Sequence, residues 1–135
     1  MKGFIDDIQD LTDKNDDYRR VIYTGKHLQL VVMSLAAGEE IGEEVHADGD
    51  QFFRVEKGKG AVWIDGNCTK ISADDAFVIP AGARHNVINT GQKQLSLYTL
   101  YSPPQHRDGF VANKKSDAEL SNEHFDGKTT ERPAV

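Results

Sequence analysis

Between residues 20 and 101 the chain alternates short β-rich runs with turn-forming residues. Arg20–Thr24 runs into Gly25, and His27–Ala36 into Ala37 and Gly38. Gln51–Glu56 leads to Lys57-Gly-Lys-Gly60, and Ala61–Ile64 leads to Asp65-Gly-Asn67. Thr69–Ser72, Ala76–Ile79, Asn86–Asn89 and Gln94–Tyr101 complete the series, punctuated by Asp74-Asp75, Pro80–Gly82 and Thr90-Gly91. Short strands at such even spacing predict an all-β barrel or sandwich rather than βαβ units. The ends read differently. Residues 1–19 form an acidic extension in which Phe4, Ile5, Ile8 and Leu11 stand at roughly helical spacing, so a short packed helix is expected there. Residues 113–135 form a polar tail; Ser116-Asp-Ala-Glu119 resembles a capping box for a short helix, and the chain past Glu123 reads as mobile. Residues 20–112 are then the barrel.

Strand alternation places candidate chemistry on that barrel. Residues two apart share a face, so Glu44 and His46 point one way while Glu43 and Val45 point the other. Ala47-Asp-Gly-Asp50 reads as a hairpin connection with an Asp-Gly turn. Such a hairpin would set His46 opposite Gln51, with Cβ atoms roughly 5 Å apart. Glu44, His46 and Gln51 then converge, and His85 is the natural fourth member. Imidazole and carboxylate suit a borderline first-row divalent ion, with manganese, iron, nickel and zinc all open. Gln51 is a weak neutral donor, able to bind a metal or to hold a bound water. The alternatives are ordinary: buried histidines satisfied by neighbours, a surface carboxylate at Glu44 and a core hydrogen bond at Gln51. Most of the other acids in Gly38–Asp50 read as a solvated turn.

With Gln51 inward, Phe53 and Val55 are inward too and become candidate pocket lining, while Phe52 and Arg54 face out. An outward Phe52 needs a cover, either a second sheet or another subunit. For Leu95–Tyr101 the faces stay ambiguous. His106, in the rigid turn Pro103-Pro-Gln-His-Arg-Asp-Gly109, either folds over the barrel mouth to meet a substrate or sits in a plain connecting loop. Arg84 and Arg107 could meet an anionic substrate, but a solvated role is the simpler reading. His27 and His124 have no evident partners.

These residues carry a resemblance. The chain resembles the small single-domain bacterial cupins often described as mannose-6-phosphate-isomerase-like. Gly38 to Gly58 matches the family's first motif in length, with His46 as its second histidine and Gly58 as its closing glycine. Pro80, Gly82, His85 and Asn89 match the second motif. Three positions depart from the pattern: Glu44 stands for the first histidine, Gln51 for the glutamate, and Asp74 for the opening glycine of motif two. One carboxylate thus remains among the four ligands, moved to a new place, and one imidazole is lost. The resemblance implies a jelly-roll barrel, a divalent metal held by Glu44, His46, Gln51 and His85, and a homodimer. Glu44, or a metal-bound hydroxide, would be the group able to move protons.

Composition narrows the partners. The 135 residues carry a formal charge of −6 and no basic stripe, which argues against nucleic acid. No apolar run is long enough to span a membrane, and residues 1–20 lack the features of a secretory signal. The cytoplasm is the expected compartment. Cys68 is the single cysteine, so neither an internal disulfide nor a thiolate-only metal site is available. Two functions compete: a metal-dependent enzyme, isomerase-like or oxygenase-like, acting on a small oxygenated molecule, and a non-catalytic module that binds or senses such a ligand.

Overall fold

In the computed structural model, which describes residues 1–131, ten strands and two short helices follow one another along the chain. The helix α1 (Ile8–Asp13) precedes β1 (Arg19–Thr24), β2 (Gln29–Leu35), β3 (Glu44–Val45) and β4 (Asp50–Lys57). Then come β5 (Lys59–Ile64), β6 (Asn67–Ser72), β7 (Ala76–Ile79), β8 (Arg84–Ile88), β9 (Leu95–Ser102), β10 (Val111–Ala112) and α2 (Lys115–Leu120). They form two antiparallel sheets: six strands in the order β10-β1-β2-β9-β4-β7, and four in the order β3-β8-β5-β6. The inner faces meet in one apolar core, with Val31, Met33, Leu35, Phe53, Val55, Val87, Leu95 and Leu97 essentially sealed from solvent.

Register assigns the faces. Phe53 lies opposite Phe77 on one side and Thr99 on the other, so the odd-numbered residues of β9 turn inward. Leu95, Leu97, Thr99 and Tyr101 are all buried, while Tyr98 and Leu100 face out. This settles the strand whose faces the sequence leaves open: β9 is apolar on both parities because its outer face is also partly covered. The helix α1 packs against β2, β4 and β9. Its start is fixed by Asp7, whose carboxylate accepts from the Asp10 N–H at 3.1 Å. Phe52 is half-buried, with Tyr98 6.4 Å away between ring centroids, while Val78 across the strand is 56% exposed.

The short helices expected at both ends form, but their details differ from the sequence reading. Ile5 is exposed and Thr12 is the buried residue of α1. The helix α2 begins from Lys114 with no side-chain cap, and Ser116 lies inside its first turn. Residues 124–131 are held down rather than loose. The Phe125 N–H donates to Gln105, the Thr130 N–H to Thr24, and the Glu131 carboxylate accepts from the amides of Lys2 and Gly3. A polar segment lacks the apolar pattern that signals packing, yet backbone groups can dock it equally well. Residues 132–135 of the expected tail lie outside the described residues.

Asp74, where the family motif has glycine, has φ +76°. Its amide donates to Val55 at 2.8 Å, and its carboxylate accepts from Arg54 at 3.1 Å. The left-handed backbone explains the family's glycine. A short polar side chain is the next cheapest occupant there.

Candidate metal centre

The hairpin predicted between Glu44–His46 and Gln51 does not form. Strand β4 already has β7 on one side and β9 on the other, so no edge is free for β3. Instead β3 joins the opposite sheet and pairs with β8, setting Glu44 directly across from His85. Residues 46–49 carry the chain between the sheets. The turn at Pro80–Ala83 clamps them: the Gly82 N–H donates to the His46 carbonyl at 2.9 Å, and the Ala81 N–H to Asp50 Oδ1 at 2.9 Å. Gly82 reaches this position with φ +87°, where a Cβ would be strained. Gly82 of the second motif thus holds the His46 backbone in place from the turn that precedes β8.

Glu44, His46 and His85 each bring one donor atom to within 4.8 Å of the others. Glu44 Oε2 lies 3.1 Å from His46 Nε2, and the two imidazole centroids are 5.3 Å apart. His85 is buried, and its Nδ1 lies 3.0 Å from the Ala83 carbonyl. That partner places the proton on Nδ1 and leaves the Nε2 lone pair free, the arrangement of a metal-binding imidazole. Gln51 is buried beside Tyr101; its Nε2 donates to Thr99 Oγ1 at 3.0 Å. Gln51 Oε1 has no hydrogen-bond partner among the described residues. A buried carbonyl without a donor is costly, and a cation or a bound water would relieve it. The two imidazoles and the carboxylate therefore fit a divalent first-row ion, and the orphaned Gln51 carbonyl is free to accept from a cation or a bound water.

Burial pushes the Glu44 carboxyl upward, but the hydrogen bond from His46 and the positive charge around it, that of Arg19 included, outweigh it and hold the group below its ordinary value. It is an anion at neutral pH, as a ligand requires. Burial pushes Tyr101 up to about 12. It raises Tyr18 as well, so both phenols stay protonated.

The remaining predicted residues separate. His106 reaches the interior: its ring meets Tyr101 edge-on at 5.1 Å, and Tyr101 meets His46 edge-on at 6.0 Å. Its Nδ1 lies 2.6 Å from Glu123 Oε1, and Glu123 Oε2 accepts the Arg107 N–H at 2.7 Å. Burial lowers His106 despite Glu123, while Glu123 falls below its ordinary value because these two hydrogen bonds outweigh its own burial. At neutral pH the pair is a neutral imidazole donating to a carboxylate. Phe53 and Val55 point inward but belong to the packed core, with Phe53 stacked on Phe77 at 4.8 Å. Arg84 is exposed and pairs with Glu43 at 2.7 Å, and Arg107 is exposed too. Asn89, from the second motif, is buried and donates to the carbonyls of Leu35 and Lys93, so it staples a turn. Sequence reasoning missed Arg19, Tyr18 and Glu123. The alternation of Arg19 with Val21 could have shown the first; nothing local marks the last.

The double-sheet jelly roll with a two-histidine, one-carboxylate cluster inside defines a class, and the sequence comparison agrees. Residues 31–101 match the cupin domain family, and the chain belongs to it. It is 43% identical over 123 residues to the uncharacterised Bacillus subtilis protein YrkC, covering 87% of this chain and 66% of that protein. An uncharacterised protein of Acanthamoeba polyphaga mimivirus is 43% identical over 112 residues, covering 80% of this chain and 70% of its own length. The crystal structure of BH2720 from Bacillus halodurans superposes with a TM-score of 0.88 at 42% identity, covering 89% of this chain and 96% of that one. Among the described residues no helix is long and apolar enough to cross a membrane.

Proposed function

We propose that the chain is a metal-dependent enzyme of the mannose-6-phosphate-isomerase-like kind, with Glu-x-His in place of the usual His-x-His. It acts on a small oxygenated organic molecule. The observation that carries this reading is the convergence of Glu44, His46 and His85, whose donor atoms lie within 4.8 Å of one another. A divalent ion held by these three, with Gln51 Oε1 as a fourth donor, would supply Lewis-acid or redox chemistry to a hydroxy-carbonyl compound. The protein's own groups do the rest. His85 is kept in one tautomer by Ala83, and Glu44 is an anionic acceptor for a substrate proton. The apolar core beneath keeps the reacting atoms away from bulk water.

Elemental analysis of the protein purified without added metal tests the reading. Near-stoichiometric manganese, iron, nickel or zinc is expected, and His85→Ala should lose it while circular dichroism shows an intact fold. Wild-type protein that takes up none of these ions even from excess solution would defeat the proposal.

A further inference from the structure

The interior holds a cation that the site described above does not use. Arg19 stands at the start of β1, on the same face as Val21 and across from Met33, both of which are buried. Only 8% of the residue is exposed. Among the described residues its side chain makes no ion pair and no hydrogen bond, and Nε is buried without a partner. Its one close neighbour of note is the Tyr18 ring, with the guanidinium carbon 5.4 Å from the centroid. A ring face steadies the plane of a guanidinium but satisfies none of its N–H groups.

Buried arginines are normally paired, because the fork of donors is built for a carboxylate or a phosphate. Arg19 also lies within reach of the site's neighbours: its charge helps to lower His106 and Glu123, and the His106 ring meets Tyr101 at 5.1 Å, which in turn meets His46 at 6.0 Å. The charge count points the same way. With a divalent ion in place, the ion and Arg19 bring three positive charges against the two carboxylates of Glu44 and Glu123, leaving the interior one positive charge in excess. The two arginines that the sequence suggested for an anion, Arg84 and Arg107, are both outside.

We propose that Arg19 is an anion-binding residue inside the barrel, and that the small molecule taken up beside Glu44, His46 and His85 carries a carboxylate. The proposal deepens the metal-enzyme reading by naming the substrate class. It depends on that reading only for the place where the anion's other end lies.

Calorimetric titration of the full chain with pyruvate, malonate and their uncharged methyl esters tests it, with metal content measured on the same samples. At least one of the acids should bind, and its ester should bind about 10- to 100-fold more weakly. Arg19→Met should weaken acid binding by a similar factor, Arg19→Lys should retain part of it, and neither should change the metal content. Equal binding of acid and ester by the wild type, or no binding of either, overturns the proposal without needing a variant to fold. An Arg19→Met protein that binds the acids at full strength shows a merely structural counter-ion and overturns it as well. Binding of inorganic phosphate with no binding of the acids would refute the carboxylate assignment. Arg19-dependent acid binding in a protein that takes up no metal would uphold the arginine and sink the metal centre, so the two failures are distinguishable.

Discussion

At the residue scale, Gln51 is the position where this chain's chemistry departs most from the motif it resembles. Its oxygen is buried and unpartnered, and Glu44 carries the carboxylate that the motif would place at 51. Gln51→Glu should therefore tighten metal binding and weaken the metal-free protein by about 1–3 kcal/mol, limited because the new carboxyl can protonate. Denaturant melts with and without metal check both signs; a variant stabilised in both states would remove Gln51 from the site. Which residues face inward was legible in the sequence, since alternation fixed Gln51, Phe53 and Val55 on one face. Depth was not. At about 3.4 Å per residue, Val55 lies roughly 14 Å from Gln51 along the strand, so sharing a face does not mean sharing a pocket.

At the scale of elements, the C-terminal segment acts as a strap. Glu123 binds both His106 Nδ1 and the Arg107 amide, and so fixes the loop that follows β9. Both members of this pair titrate below their ordinary values when folded. His106 therefore contributes stability that is present above its unfolded value of 6.5 and is lost as pH falls from there. Glu123 contributes stability that is present above 4.5 and is lost as pH falls further. Glu123→Gln should cost about 1–3 kcal/mol at pH 7 and flatten the acid limb below pH 4.5 in urea melts. An unchanged acid limb would show that the strap carries no ionic load. Strand positions were legible because turn residues punctuate them, whereas strand partners were not. The Asp48-Gly49 turn signal is real, yet β3 crosses to β8 because β4 already has neighbours on both sides. The strap was invisible because its contacts run through backbone amides and one distant carboxylate.

For the whole molecule, the pairing of Glu44 with His85 bears on the order of events in folding. The two donors come from strands far apart in the chain, and they meet only when β3 closes onto β8 at the edge of the smaller sheet. A two-residue strand at a sheet edge has few contacts of its own to hold it, so it docks late, after the nearer hairpins have formed. The transition state for folding should then lack the complete donor set. A bound ion would stabilise the finished molecule without helping the chain reach it. Stopped-flow experiments should find that saturating metal slows unfolding in proportion to its binding energy while the refolding rate stays within about twofold. Acceleration of refolding would mean that the donors assemble early, before the barrel shuts. On this account metal is the last component fitted, and its loss returns the protein to an ordinary rate of opening.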